Sequence, residues 1–185
     1  MRRNLTKEEI NFGLGTILYA LICLGFAITF AKGMEVSYVT QHYSEILHSF
    51  FTYVTQVAEL PGIILFILLV VLKDRKQLLH YTIIALLTAL TITIFKHLIF
   101  SSSDRPRAWA IQQHIVLPAD ASNLLHFSFP SGHTAFAFCL MYCLVILYNE
   151  KKWTFFFLSI GILVGLSRIY LLAHFVIDTG IGALI

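Results

Sequence analysis

Three ionisable residues, Arg168, His174 and Asp178, lie in an otherwise apolar stretch near the end of the sequence. Ionisable groups in membrane-like surroundings are energetically costly, so they indicate a function. His174 and Asp178 are four residues apart, which on a helix places both side chains on one face. Asp178 is then expected to accept a hydrogen bond from one ring nitrogen of His174, leaving the other with a free lone pair. An imidazole oriented in this way acts as a nucleophile or a base.

The composition is that of a membrane protein. Of the 185 residues, 58% are hydrophobic and only 12% are charged, which is too apolar for an ordinary soluble domain. Apolar runs are spread over the whole chain, so residues 1–185 are predicted to form one all-α polytopic membrane domain. The first run is too long for the core of a signal peptide and is expected to be retained. Cys23, Cys139 and Cys143 lie in apolar runs and are expected to be buried free thiols.

Six transmembrane helices are predicted, covering approximately residues 12–31, 61–72, 78–100, 133–148 and 153–171, with the sixth starting near His174. From His174 about 12 residues remain, or ~18 Å of helix against a hydrocarbon core of ~30 Å. The sixth helix is therefore expected to be short or incomplete. Between the first two spans, apolar residues from Ile46 to Val57 recur at helical spacing. They predict an amphipathic helix at the membrane interface or packed on the bundle.

The cationic residues predict the orientation of the bundle. One set flanks the apolar runs on a single side: Arg2, Arg3, Lys7, Lys73, Arg75, Lys76, Lys151 and Lys152. Loops rich in lysine and arginine face the cytoplasm, so both termini are expected to be cytoplasmic. The outer face then holds the end of the third span, the loop 101–129, the start of the fourth span and the turn between the last two.

Three clusters of polar residues meet at this predicted outer face. They are Lys96 with Arg105-Pro106-Arg107, then Pro130-Ser131-Gly132-His133, and then Ser167-Arg168 with His174 and Asp178. Ser131 is expected to cap the fourth span, and Gly132 allows a ligand to approach the backbone. The N–H groups of a helix start bind anions, and Lys96, Arg105 and Arg168 add cationic donors. This combination predicts a site for a phosphoryl group.

Each residue also has a structural interpretation. Lys96 and Arg107 could anchor the chain at the lipid interface, and Arg105 could be a loop charge paired with Asp104. His133 alone could be a satisfied polar residue at a helix start, and His174 with Asp178 a structural pair. The convergence of all of them on one membrane face favours a functional site.

These motifs resemble those of the type 2 phosphatidic acid phosphatases, whose site is similar to that of the vanadium haloperoxidases and glucose-6-phosphatase. The family pattern is a lysine followed by Arg-Pro, then Pro-Ser-Gly-His, then Ser-Arg, five residues, His, three residues and Asp. The second and third parts match without a gap, at Pro130–His133 and at Ser167–Asp178. The first part departs, because eight residues instead of six separate Lys96 from Arg105. Arg107 could therefore take the place of Arg105.

The resemblance implies a membrane phosphatase. His174, oriented by Asp178, would attack phosphorus and form a phosphohistidine, while His133 would protonate the leaving oxygen and then help to activate water. Lys96, Arg105, Arg168 and the backbone around Ser131 and Gly132 would hold the phosphoryl oxygens. No cofactor, metal or nucleic-acid partner is expected, and no feature sets the oligomeric state.

The substrates that the family implies are undecaprenyl diphosphate, phosphatidylglycerol phosphate, phosphatidic acid and the phosphates of lipid A. A phosphotransferase, or a lipid-phosphate binder or transporter without chemistry, remains as an alternative. A haloperoxidase with the same site is disfavoured, because those enzymes resemble soluble helical proteins, whereas this chain is predicted to lie in the membrane throughout.

Overall fold

A computed structural model describes residues 4–185, so Arg2 and Arg3, which entered the predicted orientation, lie outside the described residues. The regular secondary structure of residues 4–185 is helical throughout, as expected for an all-α bundle. The helices are α1 Lys7–Thr29, α2 Met34–Gln41, α3 Glu45–Thr55, α4 Leu60–Asp74, α5 Leu78–Ile94, α6 Pro106–Gln112, α7 Gly132–Tyr148, α8 Lys151–Tyr170 and α9 Val176–Ala183. Short 3₁₀ turns cover Gln56–Ala58 and Arg75–Gln77, and a π-helical turn, Phe95–Ile99, extends α5.

Helix α7 forms the centre of the bundle, packing against α1, α4, α5, α8 and α9. Most of its side chains are buried, and Phe138 stacks on Tyr19 of α1 with ring centroids 5.7 Å apart. The predicted buried thiols are confirmed, because Cys23, Cys139 and Cys143 are all free and buried. A helix that is apolar on every side is stable only when other helices surround it, so α7 fixes the position of its neighbours.

Helices α4 and α5 form a hairpin that brings the end of α5 back to the level of the start of α4. The turn is made at Asp74, whose backbone is extended and whose carboxylate accepts a hydrogen bond from the Lys76 N–H. Phe66 and Tyr81 lie 6.2 Å apart between ring centroids, whereas fifteen residues of straight helix would separate them by about 22 Å. The hairpin therefore places Lys96 at the same end of the bundle as the α7 start.

The two ends of the bundle differ in the polar contacts that they contain. At one end the Thr154 hydroxyl donates to Glu8 at 2.8 Å, and the Lys73 ammonium lies 5.2 Å from the Tyr148 ring centroid. At the other end the Ser131 N–H donates to the Asp178 carbonyl at 2.9 Å. The predicted separation of the cationic loops from the polar clusters is therefore present in the fold.

Within residues 4–185, three stretches are long and apolar enough to cross a membrane by length and composition: Lys7–Thr29, Leu60–Ile99 and Lys151–Tyr170. The stretch Leu60–Ile99 contains both helices of the hairpin, and Gly132–Tyr148 is a shorter apolar helix. The chain is an integral membrane protein, but the predicted count of six spans is not confirmed. Helix α9 has only 8 residues and begins two residues after His174.

The segment predicted to be amphipathic is helical, as α3, and packs against α8. Phe51 of α3 lies 4.9 Å from the Tyr170 ring of α8, measured between centroids, while Ile46 and Phe50 are exposed. Two short helices were not predicted. They are α2, and α6 within the loop 101–129.

Candidate active site

The turn between α8 and α9 places His174. Leu172 adopts a left-handed backbone with φ 52°, and the N–H groups of Ala173 and His174 then donate to the Arg168 carbonyl at 3.0 and 3.2 Å. This arrangement ends α8 in the manner of a Schellman motif, with leucine where glycine is usual. His174 therefore lies in a turn, and the expectation that it shares a helix face with Asp178 is wrong. The turn binds the His174 backbone directly to that of Arg168.

The His174 and Asp178 side chains nevertheless meet. Nδ1 of His174 lies 3.4 Å from Oδ2 of Asp178, yet the geometry does not complete a hydrogen bond. Oδ2 already accepts from the Ser128 hydroxyl at 2.5 Å and from the Phe175 N–H at 3.0 Å. The Asp178 carboxylate thus caps the start of α9 and faces His174 at the same time. With Nδ1 directed to Asp178, Nε2 is the nitrogen available for chemistry.

Burial controls the charge of His174. The side chain is only 2% exposed, and this burial lowers its pKa from the ordinary value of 6.5, with nearby Arg105 and Lys96 acting in the same direction. Asp178 opposes the shift, because a carboxylate favours the protonated ring. Burial is the larger effect, so His174 is neutral near pH 7, as a nucleophilic imidazole must be.

Acidification should therefore cost the wild-type protein stability that a His174→Asn variant retains. A histidine whose folded-state pKa is lowered binds its proton more readily in the unfolded chain. Its stabilising contribution, complete above pH 6.5, is lost by up to about 1.4 kcal/mol per pH unit as the pH falls below that value. The measurement is the apparent melting temperature of both proteins in detergent from about pH 8 to about pH 5. The same dependence of melting temperature on pH in both proteins would show that burial does not lower the pKa of His174.

The start of α7 supplies backbone donors. Ser131 caps the helix as predicted, its hydroxyl lying 3.5 Å from the Thr134 nitrogen. Its own N–H is already engaged by the Asp178 carbonyl, so Ser131 ties α7 to α9 and has no backbone donor left for a ligand. The next two N–H groups, of Gly132 and His133, have no intrahelical acceptor because they belong to the first turn. A Cβ placed on Gly132 would lie 3.8 Å from Lys96 Cε, so the lysine chain passes beside these donors.

Arg105 and Lys96 converge on one carbonyl group. The Phe127 oxygen accepts from Lys96 Nζ at 3.1 Å and from Arg105 Nη2 at 3.4 Å. Arg105 also donates from Nε to the His126 carbonyl and from Nη1 to the Ala173 carbonyl, next to His174. Three of the five guanidinium N–H donors are therefore engaged, and two remain for a ligand.

The structure distinguishes the two candidate arginines. Arg105 is 6% exposed and lies against the backbone of the His174 turn, so it is not a loop charge paired with Asp104. Asp104 instead contacts His126, with Oδ1 3.2 Å from Nδ1. Arg107 lies within α6 and is half-buried. Arg105 is the arginine that the fold brings to His174.

Arg168 and His133 are held by residues 55–59, from the last residue of α3 to the residue before α4, which we call the α3–α4 segment. The Arg168 Nη1 donates to the buried Thr55 hydroxyl at 2.8 Å, while its buried Nε–H has no partner among the described residues. His133 Nε2 lies 3.0 Å from Oε1 of Glu59. Arg168 and Lys96 are close enough to His133 to interact with it electrostatically. The α3–α4 segment is therefore a fourth part of the site, beside the three polar clusters, and the motifs did not indicate it.

Sequence reasoning missed three of these contacts, made by Ser128, Thr55 and Glu59. Ser128 precedes the Phe129–His133 motif directly, but nothing in its type indicated a contact with a carboxylate fifty positions away. Thr55 lies in the predicted amphipathic helix and carries no signal of its own. Glu59 did carry a signal, since it is a carboxylate flanked by Val57, Ala58, Leu60 and Pro61 at the end of an apolar run.

Replacing Ser128 with alanine should lower kcat about tenfold and leave KM nearly unchanged. The variant removes a hydrogen bond to a charged, buried group, which is worth about 1.5–3 kcal/mol, and loosens the carboxylate that faces His174. Ser103→Ala is the matched control, because the Ser103 hydroxyl accepts from the Phe129 N–H in the same loop without touching Asp178. Steady-state phosphate release by both variants checks the prediction. Equal losses would assign Ser128 to anchoring of the loop alone.

The sequence profile of the PAP2 superfamily matches residues 77–185, which include all three polar clusters. The chain belongs to the PAP2 superfamily. The resemblance to the type 2 phosphatidic acid phosphatases is thereby confirmed, and with it the enzyme class. This PAP2 protein is a phosphoric ester hydrolase and a membrane lipid phosphatase.

Two solved structures share this PAP2 fold. The crystal structure of Aquifex aeolicus LpxE is 23% identical with a TM-score of 0.65, and the match covers 84% of this chain and 90% of that one. The first transmembrane PAP2-type phosphatidylglycerolphosphate phosphatase from Bacillus subtilis is 22% identical with a TM-score of 0.61, over 97% of this chain and 90% of that one. At such identities the likeness shows the fold. The comparison with curated protein sequences finds no match.

Proposed function

We propose that this PAP2 protein removes a phosphoryl group from a membrane lipid phosphate or diphosphate without a metal ion, through a phosphohistidine at His174. The observation that carries the proposal is the contact of the Arg105 guanidinium with the backbone carbonyl directly before His174. Arg105 donates to the Ala173 carbonyl at 3.0 Å and shares the Phe127 carbonyl with Lys96. A neutral imidazole thus lies among cations that still have free donors. Such a combination suits attack on an anionic phosphoryl group.

The first step transfers the phosphoryl group to the enzyme. Nε2 of His174 attacks phosphorus in line with the leaving oxygen, so a P–N bond forms as the P–O bond breaks. His133 gives its proton to the leaving oxygen, and the lipid departs as an alcohol or a monophosphate. The equatorial oxygens lie against Lys96, Arg105 and Arg168 and against the N–H groups of Gly132 and His133. These donors stabilise the charge that develops on the oxygens.

The second step releases phosphate. A water molecule attacks the phosphohistidine from the side that the leaving group vacated, and His133, now neutral, takes a proton from it. The P–N bond breaks and its electron pair returns to His174 Nε2, which restores the starting charges. Asp178 faces Nδ1 in both steps and stabilises the positive charge that the ring carries in the intermediate.

The substrate proposed is a lipid phosphate or diphosphate of the undecaprenyl diphosphate, phosphatidylglycerol phosphate, phosphatidic acid or lipid A type. The location proposed is a bacterial inner membrane, with both termini cytoplasmic and the site on the periplasmic or extracellular side. In support, the end of the bundle opposite the site holds Lys73, Lys76, Lys151 and Lys152, and lysine-rich loops favour the cytoplasm.

Phosphate release from a panel of lipid phosphates, by detergent-solubilised protein in the presence of EDTA, tests this function. We expect the wild-type protein to release phosphate and a His174→Ala variant to release none, and the order of rates defines the substrate class. Transfer of label to an added alcohol instead of to water would indicate a phosphotransferase. Folded protein that binds lipid phosphate but releases none would indicate a binder or a transporter.

A further inference from the structure

Glu59 contacts His133, the residue to which the proposed function gives the leaving-group proton. Its Oε1 lies 3.0 Å from His133 Nε2. Glu59 comes from the junction of α3 and α4, whereas His133 is the second residue of α7, so the contact joins elements distant in sequence. It belongs to none of the motifs by which the family resemblance was drawn.

We propose that Glu59 is a positioning residue that holds His133 with its proton directed towards the leaving oxygen. This inference rests on the proposed function. In the arrangement proposed, His133 Nε2–H donates to Glu59 throughout the reaction, and Nδ1 carries the mobile proton. Nδ1–H protonates the leaving oxygen as the P–O bond breaks, and Nδ1 later takes a proton from the attacking water. The carboxylate thus fixes the far nitrogen and the tautomer, as in other histidine–carboxylate pairs.

The exposures of the two histidines agree with opposite roles. His174 is buried, whereas the side chains of His133 and Glu59 are 34% and 43% exposed. In an in-line displacement the nucleophile and the leaving group lie on opposite sides of phosphorus. A lipid alcohol must leave, and water must enter, on the accessible side. The pair of Glu59 and His133 lies where that exchange takes place.

The charges around His133 make the Glu59 carboxylate important. Burial disfavours a positive charge on the His133 ring, as do Arg168 of α8 and Lys96 of the π-helical turn after α5, whereas Glu59 favours it. Without Glu59 the ring would face two cations and no anion among the described residues of the elements packed against it. Loss of the carboxylate would therefore make the protonated ring, which is the acid of the first step, less favourable.

The test compares two substrates that differ in their need for an acid. An alkyl phosphate has a strongly basic leaving oxygen that must be protonated, whereas the nitrophenolate of a nitrophenyl phosphate departs without a proton. The quantity measured is kcat/KM, which reports only the steps up to departure of the leaving group. Glu59→Gln should lower kcat/KM about 10–100-fold on the alkyl phosphate and less than about threefold on the nitrophenyl phosphate. Glu59→Asp should recover part of the loss, and His133→Asn should show the same substrate dependence as Glu59→Gln.

Glu45→Gln is the matched control, because Glu45 is an exposed carboxylate at the start of α3 and lies away from His133. Its kcat/KM should equal that of the wild-type protein on both substrates. Equal losses on both substrates in Glu59→Gln would overturn the proposal, since they would indicate an effect on folding or on the phosphate site through Arg168. No loss on either would overturn it as well. Wild-type protein that releases phosphate from neither substrate would instead refute the proposed function.

Discussion

Replacing His174 with alanine should reduce phosphate release by at least about four orders of magnitude while the protein remains folded. The variant removes the nitrogen that forms the P–N bond, and no other nucleophile faces the same phosphorus in the proposed geometry. Because His174 is 2% exposed, alanine leaves a cavity that lowers stability. A His174→Asn variant keeps most of the volume and the polar character, and it should be equally inactive. Phosphate release at saturating substrate, with size-exclusion profiles for folding, gives the measurement.

His80→Ala is the matched control, because His80 is exposed near the start of α5, at the other end of the bundle. It should retain wild-type activity. Asp178→Asn should keep at least about tenfold more activity than His174→Ala, since the nucleophile is still present. Its amide oxygen can still accept hydrogen bonds from the Ser128 hydroxyl and from the Phe175 N–H. Loss of folded protein in His174→Ala and Asp178→Asn alike would give the pair a structural role. Activity of His174→Asn within about tenfold of wild type would refute the assignment of His174 as the nucleophile.

The convergence of the polar clusters was predictable because a membrane restricts where a helix can end. Lys96, His133 and His174 are far apart in sequence, yet apolar runs of spanning length leave only two faces for them. Counting the runs between them then places all three on the same face. The fold agrees, with Lys96 beside Gly132 and with Arg105 bonded to the residue before His174.

The details of the His174 turn were not predictable from residue type. A left-handed residue after a helix is usually glycine or asparagine, and Leu172 gives no such signal. The four-residue spacing of His174 and Asp178 predicts a shared helix face, although a turn followed by a helix start produces the same proximity. The error concerned the path of the backbone. The two side chains still approach to 3.4 Å.

The α3–α4 segment carries a second carboxylate, Glu59, next to a predicted membrane span. Carboxylates next to a membrane-spanning run are costly unless they are paired or functional. This cost applies to Asp178 and equally to Glu59, which precedes Leu60-Pro61 at the start of α4. The partner of Glu59 could not be named, because the contact with His133 spans 74 positions and depends on how the α4–α5 hairpin packs against α7.

Replacing His133 with asparagine should make a phosphorylated enzyme accumulate when the substrate has an activated leaving group. Nitrophenyl phosphate needs no proton to cleave, so His174 is still phosphorylated quickly. Hydrolysis of the P–N bond is then slow, because no base takes the proton of the attacking water, and general-base catalysis is worth about 10²–10⁴-fold. We expect a burst of about one nitrophenolate per protein, followed by slow turnover.

The chemical stability of the trapped group identifies the residue that carries it. A phosphoryl group on histidine survives alkali and is lost in acid, whereas a phosphoserine shows the opposite behaviour. Label from the phosphoryl group should therefore remain on His133→Asn after an alkaline quench and be absent from the His174→Ala/His133→Asn double variant. Label in the double variant would reveal a different nucleophile. A burst without retained label would mean that water attacks the phosphate ester directly and that phosphate then leaves the enzyme slowly. In that case His174 would act as a base, because a neutral, buried imidazole facing a carboxylate can take a proton from water as well as attack phosphorus.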